Sequence, residues 1–149
     1  MSTKRVAIVG VGNLLLMDEG VGVHVVQELQ NRRLPQGVVL VDGGTSPDAL
    51  AYAGDVDKLV IVDAVRGGGE PGTVYRLSVD DIEQTEKDPM SLHEWELMDS
   101  LKLSSYWDRE KETIIIGVEP AEMEWGLELS SRLEASMPHV IQAVLDETR

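Results

Sequence analysis

The sequence contains no cysteine and has few basic residues. Without cysteine the chain cannot form disulfides, thiolate metal sites or iron–sulfur clusters, and it has no cysteine nucleophile. Its 13 lysines and arginines against 27 aspartates and glutamates give a net charge of −14. That charge repels phosphate backbones and anionic lipid surfaces, so we expect neither nucleic acid nor a membrane as a partner.

Long apolar segments are also missing, since no run reaches the roughly 20 residues needed to cross a bilayer. The N-terminal sequence MSTKRVAIVG has only a short apolar run before Gly10, whereas a secretory leader has a longer run and a small-residue cleavage site. We therefore expect a cytoplasmic protein. The 149 residues, 42% of them apolar, predict a single domain over residues 1–149.

Five segments rich in β-branched residues predict strands at 5–10, 38–42, 59–63, 73–78 and 113–118. Four of them are near-continuous apolar runs, which is typical of strands buried on both faces of a sheet. Helical signals lie over residues 19–33, from Ser46, from Ser91 and over a last helix in which Pro138 predicts a kink or a restart.

The resulting order, β-α-β-α-β-β-α-β-α, predicts an α/β fold. We expect a mostly parallel mixed sheet of about five strands with helices on both faces. The link from Asp63 to Thr73 is too short for a crossover helix. The third and fourth strands are therefore predicted to be antiparallel neighbours.

A glycine-rich loop follows the first strand and raises the possibility of a nucleotide site. The pair Gly10 and Gly12 would need a third glycine where this chain has Leu15. Asp18 and Glu19 would also repel a pyrophosphate at the start of the following helix. The glycines therefore indicate a tight turn or a close backbone approach rather than a dinucleotide site.

Carboxylates follow several strands of the predicted sheet. Asp42 and Asp63 each end a strand, and Glu19 lies in the loop after the first strand. The carboxyl ends of parallel strands meet at one edge, which His93 reaches if its helix begins there. Two carboxylates and an imidazole suit zinc, copper, iron or nickel. The alternative is structural, with the aspartates capping turns, Glu19 facing a helix dipole and His93 on the surface.

Five motifs occur in a fixed order along nearly the whole chain. They are GVGNLLLMDEGVGVHVVQEL (10–29), VDGGT (41–45), IVDAV (61–65), SLH (91–93) and GVEP (117–120). In this order they resemble the hydrogenase maturation endopeptidases, which process the large subunit of nickel–iron hydrogenases. Members of that family have a twisted sheet of about five strands between helices.

The resemblance implies a role for four residues. Glu19, Asp63 and His93 match nickel ligands, and Asp42 matches a further acidic residue important for activity, which could activate water. The implied activity is removal of a C-terminal extension from the large-subunit precursor after nickel has been inserted. The nickel then belongs to the substrate, although other divalent cations could occupy the site. Glu119 falls at a variable position and receives no role.

Other functions remain open at this stage. The same three ligands could serve a non-enzymatic nickel carrier for hydrogenase assembly, and a nucleotide- or sugar-binding α/β domain is the remaining alternative. For the endopeptidase, the catalytic class stays open between an aspartic and a metal-dependent mechanism. We expect a monomer that acts on a hydrogenase large-subunit precursor.

Overall fold

The structure is a computed structural model that describes residues 4–45, 55–78 and 112–149. Within these ranges it contains β1 (Val6–Val11), α1 (Val21–Leu29), β2 (Val38–Gly44), β3 (Lys58–Ala64), β4 (Val74–Ser78), β5 (Glu112–Val118) and α2 (Ser131–Asp146). A 3-10 helix, Met17–Gly20, directly precedes α1. The predicted helices that begin at Ser46 and Ser91 lie outside the described residues.

The five strands form one sheet in the order β2-β1-β3-β5-β4. β1 pairs in parallel with β2 and β3, and β3 pairs in parallel with β5. Only the last pair of the described sheet, β4 with β5, is antiparallel. The mostly parallel mixed sheet predicted from the β-branched runs is therefore confirmed.

The predicted pairing of the third and fourth strands is wrong, because β5 lies between them. The link after β3 crosses the carboxyl end of β5, where the Val65 amide donates to Val118 (3.0 Å) and the Gly72 amide to Glu119 (2.8 Å). Two strand spacings amount to about 10 Å. A link of this length spans that distance without a helix.

The core described by the structure lies between α1, α2 and one face of the sheet. Both helices place apolar residues at helical spacing against alternate residues of the central strands. The buried members include Val21, Val25 and Leu29 of α1, Leu133, Val140 and Val144 of α2, and Ile8, Val60, Val62, Ile114 and Ile116 of the sheet.

The second helix, α2, begins at a capped serine and continues through a proline. The Ser130 hydroxyl accepts a hydrogen bond from the Leu133 amide (3.4 Å), which satisfies a donor of the first turn. The helix then runs through Pro138 to Asp146 without the restart that the sequence raised. No helix in the described parts of the chain is long and apolar enough to span a bilayer.

An ionic network of buried Lys58 and Glu147 and exposed Arg76 connects the end of α2 to the sheet. The Glu147 carboxylate accepts from Lys58 Nζ (3.1 Å) and from the Nε and a terminal nitrogen of Arg76 (both 2.9 Å). The Arg76 hydrogen bonds, followed by those of Lys58, lower the pKa of Glu147 against the opposing effect of burial. A carboxylate with a lowered folded-state pKa stabilises the protein above its unfolded pKa, and this contribution is lost as the pH falls through the folded value.

Replacing Glu147 with glutamine is expected to lower the free energy of unfolding by about 3 kcal/mol at pH 7, because the buried Lys58 ammonium loses a charged acceptor. The difference from wild type should shrink as the pH falls below about 4.3, the ordinary glutamate pKa. Thermal unfolding across this range measures it. The exposed neighbour Asp146 provides the control, since Asp146→Asn should change stability by less than about 0.5 kcal/mol. A Glu147→Gln effect that does not vary with pH would contradict the ionic origin.

Candidate functional site

Three glycines let the first loop and α1 lie directly on the strand ends. A side chain at Gly12, which has a φ of +127°, would lie 1.9 Å from the Glu19 carbonyl oxygen. A side chain at Gly22 would lie 2.0 Å from the carbonyl oxygen of Val62, and one at Gly10 would lie 2.2 Å from that of Gly22. The predicted close backbone approach is therefore confirmed, and it holds the first loop against β3.

Glu19 is held by the 3-10 helix Met17–Gly20, which contacts β3. Its amide donates to the Leu16 carbonyl (3.1 Å), and its side chain is partly buried. Met17 has a φ of +47°, which is uncommon for a residue other than glycine. The turn that carries Glu19 is thus fixed by its backbone rather than free at the surface.

Asp63 lies near the end of β3, where it is only 1% exposed. Its Oδ1 accepts a hydrogen bond from the Ala64 amide (2.8 Å). The register pairs Asp63 with Gly117 of β5, so it lies at the centre of the sheet. A carboxylate buried this deeply is costly unless a cation or hydrogen bonds compensate it.

Asp42 lies on β2 and is exposed. The register pairs Asp42 with Gly10, and Gly10 with Val62, which packs in the core against α1. Side chains alternate along a strand, so Asp42 belongs to the α1 side of the sheet and Asp63 to the other side. The two aspartates start about 10 Å apart, on strands separated by β1.

The structure brings the turn of Glu19 close to the strand that carries Asp63, and Asp42 lies on the next strand but one. His93 lies outside the described residues. Within residues 4–45, 55–78 and 112–149, no group of three histidine, cysteine, aspartate or glutamate residues is clustered as a metal site. The three-ligand set therefore stays a prediction.

Asp18 is a residue whose role the sequence did not indicate. It is fully buried, and one carboxylate accepts four hydrogen bonds: from the amides of Ala121, Glu122 and Ser130 (2.8 Å each) and from the Ser130 hydroxyl (2.7 Å). It fastens the loop before α2 to the turn that carries Glu19. No local signal could reveal partners more than a hundred residues away.

Glu119, which received no role from the sequence, is buried and organises the link after β3. Its Oε1 accepts from the amides of Gly67 (3.0 Å) and Gly69 (2.9 Å) and from the Tyr75 hydroxyl (2.9 Å). Burial, and then the hydrogen bond to Glu119, raise the pKa of the Tyr75 phenol. The phenol therefore remains a hydrogen-bond donor at neutral pH.

A cavity of about 410 Å³ lies between this link and the turn after β5. Its lining includes Arg66, the glycines of the link, Glu119 and Met123. The Arg66 guanidinium lies 3.4 Å from the Met123 sulfur. The cavity begins a few residues after Asp63 and is within the size range of ligand pockets.

The sequence matches known proteins over most of its length. A family model described as hydrogenase maturation protease matches residues 23–147. The chain is 35% identical over 151 residues to the hydrogenase expression/formation protein HoxM of Azotobacter vinelandii, covering 98% of this chain and 73% of that protein. It is 39% identical over 127 residues to HupM of Azotobacter chroococcum, covering 83% of this chain and 61% of that protein.

A solved structure gives the same result in three dimensions. The hydrogenase maturating endopeptidase HybD of E. coli superposes with a TM-score of 0.81 at 31% identity, covering 96% of this chain and 91% of HybD. The resemblance predicted from the ordered motifs is confirmed by the family model and by this fold. The chain belongs to the hydrogenase maturation protease family.

Proposed function

We propose that this protein is a cytoplasmic endopeptidase that removes the C-terminal extension from a nickel-loaded precursor of a nickel–iron hydrogenase large subunit. The nickel is part of the substrate, and the enzyme cleaves the precursor only after nickel has been inserted. Family membership and the likeness to the endopeptidase HybD support the reaction class. The extension and the cut bond belong to the precursor, which this chain binds as a monomer.

The observation that carries the proposal is the position of Glu19 relative to Asp63. The glycine contacts hold the turn of Glu19 against β3, and the buried carboxylate of Asp63 lies at the end of that strand. Two carboxylates at one sheet edge, joined by the imidazole of His93, would suit nickel among the borderline divalent metals. Carboxylate oxygens of this kind are suitable ligands for a divalent cation that the precursor presents.

The remaining residues would carry out the hydrolysis. Asp42, separated from Asp63 by β1, is the acid that the family resemblance connects with activity, and we assign it the role of accepting a proton from the attacking water. The water oxygen bonds to the scissile carbonyl carbon, the amide C–N bond breaks, and the proton passes to the leaving amine. A cation at the site could also polarise that carbonyl. The cavity beside Arg66 could hold side chains of the extension.

The proposal is tested by the mass of a co-expressed large-subunit precursor. With nickel in the medium and the wild-type enzyme present, the subunit should lose a short C-terminal peptide, and mass spectrometry measures the loss. Without nickel, or without the enzyme, the precursor should keep its full mass. Cleavage that is equally fast with and without nickel in the medium would contradict the dependence of cleavage on nickel.

The same measurement separates the enzyme from a nickel carrier. A carrier would bind nickel tightly as an isolated protein and leave the mass of the large subunit unchanged. The endopeptidase should bind nickel weakly alone, because the precursor supplies part of the coordination. Equilibrium dialysis with nickel alone provides the second readout.

A further inference from the structure

Large apolar side chains are exposed around one turn of the protein. Trp125 is 80% exposed, Leu127 67% and Leu15 50%, and together we call them the Trp125 patch. The Gly126 amide, between the first two, donates to the Leu15 carbonyl (2.9 Å), so all three belong to one small area. Exposed large apolar side chains grouped around a tryptophan are typical of a protein-binding surface.

The backbone beneath the Trp125 patch is held firmly. The Met17 amide donates to the Gly126 carbonyl (3.0 Å), and the Asp18 amide donates to the Glu122 carbonyl (3.1 Å). The four hydrogen bonds of the buried Asp18 carboxylate hold the same two segments together. A surface fixed in this way loses little conformational entropy when a partner binds it.

Acidic side chains border the patch. Glu122, Glu124 and Glu128 are all exposed, and residues 112–131 contain no lysine or arginine. From another segment, the exposed Arg66 guanidinium reaches the Met123 sulfur (3.4 Å), so the acidic character of this border is strongest around Glu124 and Glu128. An apolar centre with a charged border is the usual organisation of a protein interface. The border is complementary to a partner that has an apolar pocket surrounded by lysine and arginine side chains.

The patch is continuous with the turn that carries Glu19. The Leu16 carbonyl follows Leu15 in the chain and accepts from the Glu19 amide (3.1 Å). A partner that presents a metal ion to Glu19 must therefore lie beside the patch. No other exposed large apolar residue in the described ranges lies in this turn, since Val39 is on the edge strand β2.

We propose that the Trp125 patch is the docking surface for the folded body of the large-subunit precursor, which meets it with an apolar pocket surrounded by basic residues. This inference rests on the proposed function, because it takes the precursor as the partner. Docking through the patch does not require nickel. The patch therefore supplies affinity for the precursor, while cleavage requires the nickel.

The test compares Trp125→Ala and the double variant Trp125→Ala/Leu127→Ala with wild type. The affinity for the nickel-free precursor, which stays uncut, should fall about 10- to 30-fold. With nickel-loaded precursor, KM should rise by a similar factor while kcat stays unchanged, because the patch does not touch the reacting bond. Val39→Ala, another exposed apolar residue, should change neither quantity by more than about twofold. Unchanged melting temperatures would show that the variants fold.

The border gives an independent readout. Removing two charges with Glu124→Gln/Glu128→Gln should slow association with the precursor and flatten its dependence on salt. If this double variant associates at the wild-type rate at every salt concentration, the complementary basic partner is excluded.

The outcomes separate this inference from the proposed function. If wild type cuts the nickel-loaded precursor and the patch variants keep its KM and its affinity, the patch proposal is overturned and the endopeptidase stands. If nothing is cut but the patch variants still weaken binding, docking stands and the cleavage fails. Sedimentation of the enzyme alone tests whether a second copy of this chain binds the patch instead. If wild type is a dimer and Trp125→Ala is a monomer, the patch is an interface between two copies and the proposal is overturned.

Discussion

Substituting Asp63 with asparagine or Glu19 with glutamine is expected to slow processing of the nickel-loaded precursor by about 100-fold or more. Each change removes a negative charge but keeps the size of the side chain, so the affinity for a cation falls while the shape remains. Mutating residues that only orient a metal ligand lowers metal affinity or activity by about 10- to 100-fold. Removing a ligand itself should therefore cost at least as much. His93→Ala should have the same effect. The initial rate of appearance of the shortened subunit, followed by mass spectrometry, measures each variant.

Two further variants make this result specific. Glu134→Gln changes an exposed acid on α2 and should process the precursor at the wild-type rate. Asp42→Asn should bind the metallated precursor with wild-type affinity yet fail to cut it, because the water would lose its proton acceptor. Asp63 is buried, so its variant needs a melting curve beside the activity. Normal processing by all three ligand variants would show that the site is assigned to the wrong residues.

Replacing Asp18 with asparagine is expected to lower the free energy of unfolding by about 3–5 kcal/mol. The wild-type carboxylate accepts four hydrogen bonds in a fully buried position. The amide of asparagine would point an N–H₂ group at backbone donors, which leaves buried donors unsatisfied. Chemical denaturation measures the loss as a shift of the transition midpoint.

The neighbouring residue supplies the matched control for Asp18. Glu19→Gln lies in the same 3-10 helix, is less buried, and should change stability by less than about 1 kcal/mol. Ser130→Ala should fall between the two, at about 1–2 kcal/mol, since it removes the cap of α2 and one of the four donors. An Asp18→Asn protein as stable as wild type would mean that the four hydrogen bonds contribute no net stability.

Much of the fold could be predicted because the strands carry a strong local signal. Every residue of β1 and β3 is buried, and such continuous β-branched runs are typical of parallel strands covered on both sides. The pairing of β4 could not be predicted in the same way. The link before β4 forms hydrogen bonds from Val65 and Gly72 to the end of β5, which place β4 beside β5. The apolar pattern of the sequence does not reveal those contacts.

In the candidate site, too, some features could be predicted from the sequence and others could not. The topology of parallel strands was enough to predict that the loop of Glu19 and the end of β3 at Asp63 meet at one edge. The supporting residues were not predictable, because Asp18 and Glu119 act on backbone amides far away in the sequence. The side of the sheet to which Asp42 belongs also depended on the register with Gly10, which the sequence does not reveal.

The bond between Asp18 and the cap of α2 has a consequence for protein engineering. Residues 15–19 and 120–130 are held together by hydrogen bonds, although strands β2 to β5 lie between them in the sequence. A chimera that takes its first loop from a relative must take the second segment from the same source, or the graft will lose its anchor. Directed evolution of substrate choice should therefore randomise both stretches within a single library.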